Sequence, residues 1–130
     1  MTVQYLNPPE LLQSPNFSQA VVVEQPARTV YVGGQNGVDA NGAVVGDLAE
    51  QTARAVDNAK VVLAAAGGQL SDVISWTVAV VDGQDLRAGF GAMQPALAGR
   101  EHPPVVTVLL VAGLAVPGAL VEISAVAVLA

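Results

Sequence analysis

The feature that most constrains this chain is a run of nineteen residues, Pro103 to Val121, that carries no ionisable side chain and ends at Glu122. As a helix, the run is long enough to cross a bilayer, which takes about 20 residues. Its middle, GLAVPG at Gly113 to Gly118, combines glycines with a proline, and a helix in hydrocarbon would lose backbone hydrogen bonds there. We therefore predict two strands joined by a turn, and no membrane segment.

The segments on either side of this turn have the composition of buried strands. The first, PVVTVLLVA, is apolar at both alternating positions, which is typical of a strand covered on both faces. The second, ALVEISAVAVLA, is rich in β-branched residues and alanine. We expect helices to cover one face of the first strand and a neighbouring subunit to cover the other.

Composition and charge limit the partners of the protein. The 130 residues suffice for one domain, 1–130, and 52% of them are hydrophobic against 12% charged. The charged side chains are too few to cover the apolar surface that a monomer would expose. We therefore expect subunits to associate. A net charge of -6 with five scattered basic residues argues against nucleic acid as a partner.

Missing residue types exclude further classes of chemistry. The chain has no cysteine, which excludes thiolate nucleophiles, disulfides and thiolate metal sites. Its first ten residues, MTVQYLNPPE, show neither the basic start nor the apolar stretch of a signal peptide. We therefore expect a cytoplasmic protein.

Strand and turn signals fill the first third of the chain. Residues 19–25 and 28–35 are predicted to form strands that are separated at Pro26. Two Asn-Gly steps, at Asn36 and Asn41, predict hairpin turns after them.

The first of two predicted helices lies in the middle of the chain. The first helix begins after Asp47, because Glu50 completes a capping box, and ends at Gly67 and Gly68. Its spacing predicts a core-facing side made of Leu48, Ala55, Ala59, Val62 and Ala66.

The remaining elements complete an α+β pattern. A strand over 73–82 is followed by a weaker helix over 85–99, which is interrupted by Gly89, Gly91 and Pro95. Together with the C-terminal strands, this order predicts a single α+β domain in which a mixed sheet carries both helices on one face.

Four motifs of this chain occur together in one protein family. They are Ser-Gln-Ala at 18–20, Gly-Gln at 34–35, Glu-Gln-Thr at 50–52 and Gly-Ala-Leu-Val-Glu-Ile at 118–123. With the segments between them, they resemble the RidA family (YjgF, reactive intermediate deaminase, endoribonuclease L-PSP) over nearly the whole chain. The resemblance implies a chorismate-mutase-like fold in which three subunits pack their sheets into a central barrel, with clefts at the subunit interfaces.

The same resemblance implies an activity and a site. Typical members hydrolyse 2-imino or enamine acids, such as 2-iminopropanoate, to 2-keto acids and ammonia, without a metal or an organic cofactor. An arginine in the strand before the last holds the substrate carboxylate, and a glutamate in the last strand orients the attacking water. Glu122 matches this glutamate, whereas Val106 stands where the family has the arginine.

The loss of this arginine has a calculable effect. A bidentate contact from arginine to a carboxylate contributes about 1.5 to 3 kcal/mol, so its loss implies roughly tenfold to hundredfold weaker capture of an anionic substrate. A tyrosine of the family's cleft is also replaced by Phe17, and an asparagine of the second helix by Phe90. We expect a cleft of low polarity, and no spacing in the sequence requires Arg87 or Arg100 to reach into it.

Glu122 is therefore the candidate catalytic residue. It shares a strand face with Leu120, Ser124 and Val126, and its alternative role is that of an interface carboxylate bonded to backbone amides. The expected lining of the small-molecule cleft consists of Phe17, Gly34, Gln35, Phe90 and Val106.

We predict structural roles for the other residues whose side chains could act in catalysis or bind a ligand. His102, the single histidine, is interpreted as a solvated loop residue, and Trp76 as part of the core or of an interface. Asp82 and Asp85 are predicted to lie in a turn and a helix cap, because no third ligand accompanies them. GGQNG lacks the lysine of a phosphate-binding loop, and we predict no metal site and no cofactor.

Three functions stay open at this point. The first is hydrolysis of imines or enamines, with altered specificity because of Val106. The second is a non-catalytic homotrimer that binds an apolar metabolite or serves as a scaffold. The third is a ribonuclease role, against which the acidic charge argues.

Overall fold

The strands and helices of the computed structural model, which describes residues 1–130, follow the order β-β-β-α-β-α-β-β, with a short 3₁₀ helix before the fourth strand. Their bounds are β1 Thr2–Leu6, β2 Ala20–Glu24, β3 Arg28–Asn36, α1 Leu48–Ala65, the 3₁₀ helix Leu70–Asp72, β4 Val73–Val81, α2 Leu86–Leu97, β5 Val105–Val111 and β6 Val121–Leu129.

The main sheet contains four strands in the order β3-β6-β4-β5. β6 runs antiparallel to both of its neighbours, β3 and β4, whereas β4 and β5 are parallel and are joined through α2. β1 and β2 form a separate antiparallel pair. The predicted α+β fold with a mixed sheet and two helices is confirmed.

The uncharged run forms β5, a loop over 112–120 and the first residue of β6. The loop joins two strands as predicted, but these strands are not neighbours, because β4 lies between them. β5 is an edge strand, so one of its sides has no partner strand within the chain. No helix of the structure combines the length and the hydrophobicity that a membrane span requires.

The hydrophobic core lies between the main sheet and the two helices. Because side chains alternate along a strand, one set from each strand points toward the helices. Trp76 of β4 and Ile123 of β6 are fully buried there, together with Ala55 and Leu63 of α1 and Met93 of α2. Both helices therefore cover the same face of the sheet, and Trp76 is a core residue, as predicted.

The capping box predicted for α1 is confirmed. The Asp47 carboxylate accepts a hydrogen bond from the backbone N–H of Glu50 at 2.9 Å, and the Glu50 carboxylate accepts one from the N–H of Asp47 at 3.4 Å. These bonds satisfy two N–H groups that have no partner within the helix, and they set the start of α1.

The buried side of α1 is only partly the predicted one. Leu48, Ala55 and Ala59 are buried as predicted, but Val62 is only partly buried and Ala66 is the C-cap residue. The inner positions are taken instead by Gln51, Thr52, Val56 and Leu63. Helical spacing defines an apolar stripe, but the packing of the sheet decides which edge of that stripe is covered.

β1 is absent from the predicted elements. Its five residues pair with β2 from Thr2 opposite Glu24 to Leu6 opposite Ala20, outside the main sheet. A strand this short depends on its partner for stability, and sequence alternation alone does not reveal that partner.

The hairpin predicted at Asn36 is wrong. Asn36 is the buried last residue of β3, and Gly37 does not adopt a positive φ. A Cβ atom on Gly37 would lie 2.4 Å from Cα of Gln51, so glycine is needed here for the close approach of the chain to α1.

The second Asn-Gly step does form the predicted turn. Gly42 has a φ of 83°, and a β-bridge joins Val38 to Val44 across the turn. The two steps thus differ because one lies against a helix and the other on the surface.

We predict that Gly37→Ala destabilises the protein by about 1–3 kcal/mol or more, the range for overpacked sites, because the added methyl group meets the backbone of α1. Urea unfolding followed by circular dichroism would measure this change. Gly33→Ala is the matched control, since a Cβ atom there meets nothing within 4 Å. Equal stability of the two variants would contradict the prediction.

Candidate functional site

Glu122 lies on the sheet face that points away from the helices. Its neighbours in β6, Val121 and Ile123, are buried in the core, so the strand pleat directs Glu122 to the opposite face. In register it stands opposite Ala79 of β4 and Asn36 of β3. The side chain is partly buried, and neither ion pair of the chain involves it. This carboxylate is free to accept a hydrogen bond from water or from a ligand.

A β-bulge in β3 makes room for this carboxylate. The register with β6 shifts between Val32 and Gln35, and Gly34 lies inside the shift. A Cβ atom on Gly34 would stand 2.7 Å from Cδ of Glu122. Gln35 turns its amide back to its own strand, where it donates to the carbonyl of Gly33 at 3.2 Å. Gly34 therefore packs directly on Glu122.

Gln51 connects α1 to the chain segment just before Glu122. The side chain is 2% exposed. Its Oε1 accepts a hydrogen bond from the N–H of Leu120 at 2.8 Å, and its Nε2 donates to the carbonyl of Gly46 at 3.0 Å. A buried amide with several partners holds the backbone that it bridges, because each lost bond would leave a buried polar group unpaired.

Two further amides fix the strand end opposite Glu122. Asn36 donates from Nδ2 to the carbonyl of Val121 at 3.0 Å. Asn58 of α1 donates to the carbonyls of Asn36 at 3.2 Å and Val38 at 3.0 Å. The start of β6 is thus tied to both β3 and α1, which sets the position of Glu122.

A cavity of about 440 Å³, here called the α2 cavity, lies on the other side of the sheet, between α2 and the β4–β5 edge. Three of the predicted site residues, Phe17, Phe90 and Val106, line it. Eleven of its fourteen lining residues are hydrophobic, and its polar side chains are Asn16 and Thr52. The predicted low polarity of this cleft agrees with the geometry.

No cationic side chain lines the α2 cavity. Arg87 is 95% exposed and pairs with Asp85 at 3.5 Å. Arg100 donates to the carbonyls of Leu70 and His102 and to the hydroxyl of Tyr5, at 3.2–3.3 Å. Within a single chain, neither arginine therefore reaches the α2 cavity.

The structure separates the six predicted site residues into two groups. One group consists of Gly34, Gln35 and Glu122, and the other of Phe17, Phe90 and Val106. Glu122 of β6 stands opposite Ala79 of β4, and Val106 of β5 stands opposite Trp76 of β4. Glu122 and Val106 are therefore two strand spacings apart across the sheet and three residues apart along it. Strand geometry gives roughly 14 Å between their Cα atoms, and their side chains point to opposite faces. One chain therefore does not bring both groups to one small molecule.

The remaining candidates have structural roles. The ring of His102 stacks on Tyr5, with ring centroids 5.1 Å apart, and the His102 side chain is 55% exposed. Asp82 accepts from the N–H of Gly83, and Asp85 caps α2, as predicted. No three histidine, aspartate or glutamate side chains converge in an arrangement that could hold a metal ion.

Gln51, Asn36 and Asn58 are the site-positioning residues that were not predicted. The sequence contains a signal for the burial of Gln51, because this residue lies three positions after Leu48 and four before Ala55, within the apolar stripe of α1. A polar residue at such a position indicates a buried amide with partners. Its partners, however, lie 5 and 69 residues away in the chain, beyond the reach of local patterns.

Comparisons with known proteins agree with this fold. The family model described as Endoribonuclease L-PSP matches residues 10–129. A protein of unknown function of the conserved Rid family, YyfB from Yersinia pestis, superposes with a TM-score of 0.85 at 32% identity, over 99% of this chain and 100% of that chain. RidA from an Antarctic Psychrobacter superposes with a TM-score of 0.71 at 29% identity, over 90% and 97% of the two chains.

Similarity to proteins of named activity is more limited in extent. The 2-iminobutanoate/2-iminopropanoate deaminase of Rattus norvegicus is 39% identical over 71 residues, which are 53% of this chain and 50% of that protein. The alignment thus spans about half the length of the curated relatives that the chain matches.

We predict that Gly34→Ala displaces the Glu122 side chain and destabilises the protein by up to about 1 kcal/mol, the cost of an off-rotamer side chain. In a Glu122→Ala background the same change should cost nothing, because the three atoms nearest to the added methyl group all belong to the Glu122 side chain. A double-mutant cycle from urea unfolding measures this coupling. Additive effects of the two substitutions would contradict the described contact.

Proposed function

Because the chain belongs to the RidA (endoribonuclease L-PSP) family, we propose that it forms a homotrimer whose interfacial clefts bind small imines or enamines and hydrolyse them. The observation that carries this proposal is the division of the site residues between two faces of the sheet. Glu122 lies on a sheet face without a cavity, and the α2 cavity contains no acid. The two form one site only if one subunit contributes Glu122 and its neighbour contributes the α2 cavity.

The exposed surface of the chain supports association. The face that bears Glu122 has no covering layer within the chain, and the edge strand β5 leaves Leu109 48% exposed on it. On the helix side of β5, Val108 and Leu110 are 55% and 56% exposed. Exposed apolar side chains on both faces of one edge strand are typical of an interface between subunits. Packing of the sheets of three copies would cover the face that bears Leu109.

Glu122 would act as the general base of the reaction. Its carboxylate takes a proton from water as the water oxygen bonds to the carbon of the protonated imine, which gives a neutral carbinolamine. Glu122 then gives this proton to the nitrogen, the C–N bond breaks, and ammonia leaves as the carbonyl forms and the hydroxyl proton passes to the Glu122 carboxylate. An enamine enters the same route after protonation at carbon gives the protonated imine. Gly34 lets the backbone of β3 approach this carboxylate closely.

Val106 sets the limit on substrate capture in this proposal. With valine at the position of the family's arginine, a 2-imino acid meets no cation in the α2 cavity. The cost is roughly tenfold to hundredfold in affinity. The same observation favours the second candidate function, a trimer that binds a metabolite without turning it over.

We predict that Val106→Arg raises kcat/KM for ammonia release from freshly generated 2-iminopropanoate by about tenfold or more, because it restores a charge-assisted contact to the carboxylate. Glu122→Gln in this background should lower the rate by about a hundredfold or more, the usual contribution of a general base. Val61→Arg, at a position of α1 that is 70% exposed, is the matched control and should have no effect. Ammonia release no faster than in buffer from both the native protein and Val106→Arg would favour the non-catalytic candidate.

We also predict that light scattering during size-exclusion chromatography gives a mass three times the 13.1 kDa of the chain. Leu109→Asp should lower this mass, because it places a charge on the apolar sheet face that would be buried between subunits. Val61→Asp, on the outer side of α1, should leave the mass unchanged. A monomeric native protein would refute the shared site.

A further inference from the structure

We infer that the α2 cavity binds an uncharged molecule with a hydrocarbon body, so that the natural ligand of this protein carries no free carboxylate. This deepens the proposed function by naming its ligand class, and it rests on that proposal in one respect. It takes the group that contains Glu122 to come from a neighbouring subunit.

The size and the lining of the cavity fit a small organic molecule. Its volume of about 440 Å³ lies within the range of ligand pockets, about 300–1,000 Å³. Phe17 and Phe90 provide aromatic surface, and Val78, Val106 and Met93 provide aliphatic surface. Contact with these groups removes apolar ligand surface from water, which is the main source of affinity in such a site.

The charges around the cavity disfavour an anion. None of the fourteen lining residues is charged, and the nearest arginine in sequence, Arg87, points to solvent beside Asp85. A carboxylate inside the cavity would lose its hydration without gaining a cation. In the proposed trimer, Glu122 of a neighbouring subunit would add a negative charge at the same cleft. Both effects act against a 2-imino acid and leave a neutral imine or carbonyl compound unaffected.

The polar side chains of the cavity allow the ligand only a few hydrogen bonds. The Thr52 hydroxyl already donates to the carbonyl of Leu48 at 2.7 Å, so it can only accept from a ligand. The side-chain amide of Asn16 forms no hydrogen bond within the chain and can donate to a carbonyl or imine group. The ligand class is therefore a neutral ketone, imine, enamine or amide with an aromatic or branched aliphatic body.

The test compares two probes of nearly the same shape, benzylacetone and hydrocinnamate. They share a phenylethyl body, and one ends in a methyl ketone where the other ends in a carboxylate. Isothermal titration calorimetry on the native, assembled protein should show the ketone binding at least about tenfold more tightly than the carboxylate. Equal affinities, tighter binding of hydrocinnamate, or no binding of benzylacetone would overturn the inference.

Two variants place a cation at the cavity. Val106→Arg should reverse the preference in favour of hydrocinnamate, and Leu86→Arg, at a lining position that is 43% exposed and so tolerates a long side chain, should do the same to a smaller degree. Val61→Arg, on the outer side of α1, should leave both affinities unchanged. An unchanged preference in both folded cavity variants would count against the inference.

The outcome separates this inference from the proposed function. Selective binding of benzylacetone together with no hydrolysis of any imine would support the ligand class and refute the catalytic proposal. Efficient hydrolysis of 2-iminopropanoate by the native protein, with KM unaffected by Val106→Arg, would support catalysis and refute the ligand class.

Discussion

The contact between Gln51 and the backbone before β6 is the constraint on which the rest of the site depends. The buried amide joins the loop that precedes α1, through Gly46, to the segment that enters β6, through Leu120. Gly37 permits this arrangement, because no side chain separates β3 from the backbone of Gln51. Helix, bulged strand and last strand are thereby held as one unit. Glu122 lies only two residues beyond the bonded N–H, so its position follows from this contact.

The pleat of the sheet then decides how the site is divided. Glu122 and Gly34 belong to the face without helices, whereas Val106 contributes to the cavity beneath α2. No rearrangement of side chains brings groups on opposite faces of one sheet together, since the backbone itself lies between them. If both groups take part in one reaction, the reaction belongs to the assembly and not to the single chain. Association then has a functional reason in addition to the burial of apolar surface.

The α2 cavity gives a physical meaning to the replacement of arginine by Val106 that the family resemblance implies. A cavity that lacked the arginine but kept hydroxyl and amide groups could still donate hydrogen bonds to a carboxylate, and it would bind an anion, only more weakly. Here the surrounding side chains are apolar as well, and they include Phe17 and Phe90, which the family resemblance places where typical members have hydroxyl and amide groups. The three changes act in the same direction, toward a ligand that needs little hydration. They are thus consistent with a changed ligand class as well as with lost activity.

The sequence by itself determined the elements whose signals are local. The capping box at Asp47, the buried strand around Trp76, the turn at Asn41 and the α+β order all follow from neighbours within a few residues, and the structure agrees with each. The family resemblance also pointed to Glu122 and Val106 as the residues to locate in space.

Only the tertiary structure decided the features that depend on distant partners. The pairing of β1 with β2, the insertion of β6 between β3 and β4, and the hydrogen bond from Asn36 to Val121 all join residues far apart in the chain. The same holds for the separation of the site into two groups, which depends on strand order and on the direction of each side chain. Local patterns encode the period of a strand and the start of a helix, but long-range packing chooses which strands become neighbours and which face is covered.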